Sequence, residues 1–221
     1  MVLKVSKFIV IFICIICINS GGVMPGENTI KLSQPDLKGT MTVEQALYNR
    51  KSIRSYKKGF LSLSEVSQVL WASQGKAKWD NRTAPSAGAT YPIELYLVAG
   101  DVEGLEQGVY RYIHKNHSLE LIKKGDMRKN LMNACMGQDM ILNAQMTIIM
   151  DAVPKRTGRR YGHRATRYIA IEAGHIGQNI YLQSTALGLG TVSVGAFGDN
   201  EVKALIPELE SPLYIFPVGK Q

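Results

Sequence analysis

The spacing of apolar residues along the chain changes period several times, and each change marks an element. Thr42-Val43-Glu44-Gln45 and Ser62-Leu63-Ser64-Glu65 each set a hydroxyl three residues ahead of a Gln or Glu. In such capping boxes the two side chains satisfy each other's backbone amides at a helix start. The first predicts a helix running to Asn49. The second opens "EVSQVLWASQ", with Gly75 suited to the turn beyond its end. "IELYLVAG" (93–100) follows as a strand, and "VYRYI" and "LELIK", separated by "HKNHS", read as a hairpin. Asp126 is placed to cap "MRKNLMNAC", which closes near Gly137. "QMTIIMDAV" (145–153) is apolar almost throughout, the pattern of a central strand covered on both faces.

The longest helical pattern runs from Arg160 to Leu187 and stops at Gly188. "GTVSVGAF" (190–197) and "PLYIFPVG" (212–219) are two further strands, with "NEVKALI" a short helix between them. Helices first and mixed elements afterwards predict an α+β domain, a mixed sheet surrounded by helices with one long central helix. Within that helix, Arg164, Tyr168, Glu172, His175 and Asn179 fall on one stripe, and Ile169, Ala173, Ile176, Ile180 and Ser184 on another. The polar stripe is either a half-exposed amphipathic face or the wall of an internal site or subunit interface. Gly174 and Gly177 each cost a helix interior about 1 kcal/mol relative to Ala, which close packing of another backbone would offset.

The N-terminus departs from this pattern. Lys4 and Lys7 precede an unbroken apolar run from Phe8 to Ile18, and Asn19-Ser20-Gly21-Gly22 supplies small residues after it. This is the arrangement of a secretory signal peptide, and the run is shorter than the roughly 20 residues of a spanning helix. The expectation is an exported protein, periplasmic or extracellular, with residues 1–20 as signal peptide or, alternatively, as a membrane anchor. Cys14 and Cys17 lie inside this run and read as small apolar residues rather than redox or metal ligands. Without them Cys135 is the remaining thiol, a buried helix residue outside any disulfide framework. Residues 21–40, broken by Pro25, Gly26, Pro35 and Gly39, form an irregular lead-in to a folded domain over 41–221.

Composition adds little beyond a sign. Formal charge is +8, and +6 without Lys4 and Lys7, which favours an anionic ligand or surface. In "NRKSIRSY" (49–56), Arg50, Lys51 and Arg54 flank the Ser52 hydroxyl. Such a group suits a phosphate, which takes several charge-assisted hydrogen bonds at once, although a solvated basic helix end has the same composition. "GLGTVSVGAF" is not a dinucleotide fingerprint, because Ser193 stands where the third Gly belongs and the segment runs from helix into strand. "PKRTGRRYGHRATRY" (154–168) is basic without an acid, but lacks the interleaved aromatic platform of a nucleic-acid surface. Neither nucleic acid nor a metal is expected as a partner. "TAPSAGATYPIE" (83–94) is poor in bulky side chains, as a surface for close approach would be. Pro92 disfavours helix at Tyr91 and turns the chain into the strand.

Taken in order, "RKSIRSY", "APSAGATYPIELYLV", "RYGHRATRYIAIEAGHIGQNIYLQSTALGLGTVSVGAF" and "PLYIFPVGK" resemble the nitroreductase-like flavoproteins, and most closely their SagB-type dehydrogenase branch. The resemblance spans residues 42–220. It implies an FMN-dependent α+β homodimer with active sites at the subunit interface, and makes 41–221 a nitroreductase-like FMN-binding domain. Arg50, Lys51, Ser52 and Arg54 would hold the phosphate and ribityl chain. Pro85, Ser86, Ala87 and Gly88 match the segment that reaches the flavin from the partner subunit, with Ser86 offering a hydroxyl. Ser193, Val194, Gly195 and Ala196 match the stretch beside the isoalloxazine ring, and Lys220 is the C-terminal basic residue on the phosphate. Tyr161, Arg164 and Tyr168 are expected on the substrate side, with Glu172 and His175 structural.

The implied activity is hydride transfer between a reduced donor, NAD(P)H among the candidates, and a small organic, quinone or nitro-type acceptor. Export would make NAD(P)H scarce and favour another acceptor such as oxygen. SagB-type enzymes carry Lys-Tyr where Arg160-Tyr161 stands here, and Arg does not serve as a base. That departure, with little chain left for a peptide-binding domain, argues against azoline oxidation on a peptide. A flavin-binding protein without turnover is the reading from another class.

Overall fold

A computed structural model of the chain describes residues 29–221. In chain order the elements are β1 (Thr29–Lys31), α1 (Val43–Asn49), α2 (Leu63–Gln74), β2 (Ile93–Ala99), β3 (Gly108–Ile113), β4 (Ser118–Lys124), α3 (Arg128–Ala134) and α4 (Asp139–Asn143). Then come β5 (Met146–Ala152), α5 (Pro154–Tyr161), α6 (Ala165–Ala186), β6 (Leu189–Thr191), α7 (Asp199–Leu205) and β7 (Pro212–Lys220). The strands form one seven-stranded sheet in the order β1-β4-β3-β2-β5-β7-β6. Every pairing between these strands is antiparallel; a parallel bridge joins Leu61 and Val102 outside them. The expected α+β architecture is the one observed.

β5 lies inside the sheet because it can: all of Met146–Ala152 is buried, and its apolar residues satisfy both faces. Alternate side chains of the strands divide between two cores. Leu95, Leu97, Ile148 and Phe216 meet Val66, Val69 and Leu70 of α2 and Ile169, Ala173, Ile176 and Ile180 of α6. On the opposite face Tyr96, Ile149 and Ile215 meet Leu131 of α3, Ile141 of α4 and Val202 of α7. Each fully buried aliphatic side chain contributes about 1.5–3 kcal/mol, so α6 is fixed against the sheet along its apolar stripe.

Both capping boxes form as expected: Thr42 and Ser62 each accept from the amide three residues on, and Gln45 and Glu65 accept in return. The long helix begins later than its pattern suggested. Pro154 at the first position opens α5, and Gly162 (φ 55°, ψ −130°) breaks the chain before a single turn leads into α6. That backbone region is essentially glycine's own. Residues 190–197 are also less regular than expected: β6 ends at Thr191, and beyond it only Val194 pairs, with Ile215. Gly177 makes room for an aromatic ring rather than a backbone, since a Cβ there would lie 2.9 Å from Phe216 Cζ. Cys135 is a free, buried thiol, pushed by burial up to about 12.

The expected export and membrane attachment are corrected here. Among the described residues no helix is long and apolar enough to cross a membrane. Residues 1–20, with Lys4, Lys7, Cys14 and Cys17, lie outside the described residues.

Candidate functional site

The basic segment after α1 runs alongside the end of the sheet. Arg50 N–H still bonds to Ala46 O as the helix ends, and Ile53 N–H then donates to Thr191 O at 2.9 Å. Tyr56 OH donates to Ile53 O and Pro217 O, and Lys57 N–H to Lys220 O. Gly190 permits this approach: a Cβ there would stand 2.6 Å from Ile53 Cγ2. Arg50, Lys51, Ser52 and Arg54 consequently project from an anchored strand-like segment, all of them exposed.

Tyr181, from the C-terminal half of α6, joins this segment to residues 193–196. Its hydroxyl accepts Ser193 N–H at 3.0 Å, lies 2.9 Å from Ser52 Oγ, and donates to Ser193 Oγ at 3.4 Å. The Arg50 guanidinium sits 5.7 Å from the centre of its ring. Burial raises the Tyr181 phenol, but the hydrogen bonds from Ser193 and Ser52 and the nearby Arg50 charge outweigh it and hold the group below the ordinary tyrosine value. Nothing local in the sequence marks Tyr181 for this role, because its partners lie far away along the chain.

Val194 is buried and pairs with Ile215 in both directions, at 2.8 and 3.0 Å. This leaves Gly195 and Ala196 exposed, with Gln138 Nε2 donating to Ala196 O. Arg50, Ser52, Tyr181 and Ser193 therefore form one continuous polar surface. Among the described residues no carboxylate forms an ion pair with Arg50, Lys51 or Arg54. Lys220 is not free in the same way: its ammonium lies 2.7 Å from Glu65 Oε1 and 3.0 Å from Oε2.

A second cluster gathers at the N-terminal half of α6. Residues 87–89 form a single turn in which Gly88 takes φ +57°. A Cβ at Gly88 would lie 2.6 Å from Tyr161 OH and 2.9 Å from the Arg160 guanidinium. Arg160 donates to Gly88 O at 3.3 Å and stacks 5.6 Å from the Tyr161 ring centre. Tyr161 in turn meets Tyr168 edge to face at 4.8 Å. Arg164 ends the turn between α5 and α6 and is exposed. Ser86 Oγ accepts Tyr91 N–H at 2.9 Å, and Pro85 O lies 3.3 Å from His175 Nδ1.

Glu172 is buried beside this cluster. Burial lifts its carboxyl above the ordinary value, opposed by hydrogen bonds from Ser86 and Gln74 and by the charges of Arg82 and His175. The two clusters draw on different halves of α6 within one chain: Arg50, Ser52 and Ser193 meet at Tyr181, and Pro85, Ser86 and Gly88 lie by Glu172 and His175, with Tyr161 from the end of α5 beside them.

These features suit FMN chemically. Exposed cations with no carboxylate partner among the described residues, beside two serine hydroxyls, match a phosphate and polyol chain. A loop of Pro, Ser, Ala and Gly and the exposed Gly195-Ala196 edge match a flat ring approached by backbone.

The sequence profile of the nitroreductase family matches residues 47–220. A Methanocaldococcus jannaschii protein bearing a nitroreductase name is 43% identical over 197 residues, covering 88% of this chain and 98% of the relative. The chain belongs to the nitroreductase family, a family of oxidoreductases. More distant relatives are the trifolitoxin proteins TfxC and TfxB of Rhizobium leguminosarum, 27% and 31% identical over 78% and 63% of this chain. The chain spans only 54% and 39% of their lengths. A nitroreductase-type crystal structure from Ralstonia eutropha matches with a TM-score of 0.76 at 28% identity, covering 90% of this chain and 91% of that one. An FMN complex from Desulfovibrio desulfuricans shares the fold, with a TM-score of 0.57 at 21% identity, covering 80% and 84%.

Proposed function

We propose that the protein is an FMN-dependent oxidoreductase that works as a homodimer, moving a hydride between a reduced donor and a small organic, quinone or nitro-type acceptor. The observation that carries this reading is Ser52 and Arg50, gathered with Ser193 around Tyr181, with exposed Lys51 and Arg54 beside them in the chain and, among the described residues, no carboxylate paired with any of the three cations. When bound, FMN supplies the hydride chemistry; the protein supplies placement and electrostatics.

In this reading Arg50, Lys51 and Arg54 neutralise the phosphate, Ser52 and Ser193 bond the polyol chain, and backbone of Gly195 and Ala196 borders the ring. Lys220, engaged by Glu65, contributes to the phosphate site only by giving up that ion pair. Pro85, Ser86, Ala87 and Gly88 belong to the neighbouring subunit's site. Support for pairing of two copies comes from exposed Val43, Leu47 and Tyr48 on α1, next to Arg50, and Ile171 on α6. Tyr161, Arg164 and Tyr168 would orient the substrate and exclude water from its reacting end.

The peptide-azoline variant draws support from the trifolitoxin relatives, but Arg160 counts against it. Its guanidinium is occupied by Gly88 O and the Tyr161 ring, and an arginine does not take a proton in turnover. A small acceptor is therefore the preferred substrate class. The test begins with FMN added to purified protein. The reading expects a yellow complex bleached anaerobically by a reduced donor, NADH and NADPH being tried first. It also expects that Arg50→Ala with Arg54→Ala releases FMN while the circular dichroism is unchanged. A protein that stays colourless with FMN, or a double variant that keeps full affinity, sinks it.

A further inference from the structure

Behind the Ser86–Glu172 cluster, which Tyr91 and Arg82 adjoin, the turn joining β3 to β4 faces the loop between α2 and β2 across a cavity of about 410 Å³. Lys76, Asp80, Arg82, Tyr91, His114 and Lys115 line it. A neighbouring cavity of about 700 Å³ shares Lys76, His114 and Lys115 and adds Lys31. Asp80, the carboxylate in this lining, is already neutralised by Lys76 at 2.7 Å. Among the described residues, Lys115 and Lys31 have no carboxylate partner.

Arg82 is preorganised in the wall. Its guanidinium stacks 4.6 Å from the Tyr91 ring centre, and one nitrogen donates to Gln74 Oε1 and Ile93 O at 3.2 and 3.3 Å. Its Nε is buried without a hydrogen-bond partner among the described residues. A recess of excess positive charge, with a fixed planar cation at its back, has the chemistry of an oxyanion site.

We propose that this recess binds the phosphate of a small phosphate monoester, seated between Arg82 and Lys115 with His114 as a further donor and Lys76 joining only by giving up Asp80, the adjoining cavity taking the rest of the molecule. The proposal does not depend on the flavin reading. His114 makes binding pH-dependent. Burial, then the charge of Arg82, holds its imidazole down at about 4; Lys115 and Arg156 add to this and Glu94 opposes it. Lys76, Asp80 and Tyr91 face it across the cavity, with Lys31 beyond. A dianion among these groups raises the imidazole's affinity for a proton, so the bound form protonates at a higher pH than the free form. Anion affinity then increases as pH falls through the bound-form value and levels off below about 4, where the free imidazole is itself protonated.

Sulfate is the first probe, because its charge is constant across the pH range of the test. The full chain is titrated with sodium sulfate against chloride of equal ionic strength, following the His114 imidazole resonances by NMR. Saturable binding that tightens as pH falls is expected. His114→Gln removes the pH dependence. Lys115→Gln weakens binding about tenfold, as for a lost charge-assisted hydrogen bond. Arg50→Gln with Arg54→Gln leaves it unchanged. Both test positions lie in the β3–β4 turn, and Lys115 is exposed, so the fold tolerates the changes. Glycerol phosphate binds more tightly than inorganic phosphate. No effect beyond chloride, loss of binding in the Arg50/Arg54 variant alone, or equal affinity for the monoester and the free ion overturns the proposal.

Discussion

Tyr181 is the residue on which the Arg50 side of the site turns, because one hydroxyl holds Ser52 and Ser193 in register. Phe at this position keeps the ring packed edge-on against Phe216 at 6.1 Å and removes only the hydroxyl. Tyr181→Phe leaves Ser193 N–H without its partner and is expected to cost about 1–3 kcal/mol in urea denaturation. It should also weaken FMN binding in a fluorescence titration; unchanged stability and affinity would contradict this role. Glu172 makes a different argument from the same helix. Its folded-state carboxyl holds a proton more tightly than the unfolded one, so stability falls as pH rises from the ordinary value of 4.5 through the raised folded value. Glu172→Gln should flatten that decline and make the protein more stable than wild type at neutral pH. Denaturation curves from pH 4.5 to 7.5 test the sign; a variant less stable at neutral pH refutes it.

At the scale of elements, local chemistry is what the sequence exposes. Both capping boxes, the β3–β4 hairpin and the continuously apolar β5 follow from neighbours along the chain, and all are observed where their patterns fall. The break between α5 and α6 does not follow, because Gly162 is one of several glycines in the region and helical periodicity runs through it. Nor does β1, whose pairing with β4 (Thr29 opposite Glu120) joins residues remote in sequence. The Arg50 group was legible as a cluster, but its link to Ser193 through Tyr181, and the capture of Lys220 by Glu65, depend on tertiary placement. Two glycines close together in α5 and its end separate these influences. At Gly158 a methyl group would meet nothing within 4 Å and the backbone is ordinary helix, whereas Gly162 sits at φ +55°. Gly158→Ala should stabilise by about 0.5–1 kcal/mol. Gly162→Ala should destabilise by about 1–3 kcal/mol and displace Tyr161 and Arg160 from Gly88. Thermal melts of the two variants must move in opposite directions; a common direction would mean the break is not set by Gly162.

At the scale of the whole molecule, the separation of the two clusters along α6 becomes an argument about assembly. If the Arg50–Ser193 cluster of one copy and the Pro85–Gly88 loop of another complete each proposed site, a twofold dimer contains two such sites, each drawing on both chains. A chain with Arg50→Ala and Arg54→Ala then damages the phosphate half of one site. A chain with Gly88→Val, whose side chain would collide with Tyr161 and Arg160, damages the loop half of one site. In a mixed dimer of these two chains both lesions fall on the same site, and the other site is wholly native. Each variant alone should be inactive, while unfolding and refolding them together should restore up to about half of the wild-type activity per mixed dimer. Differently tagged chains allow the mixed species to be isolated and its bound flavin counted, at one per dimer. Activity that never exceeds that of the separate variants, from mixed dimers shown to have formed, would place both halves of the site within one chain.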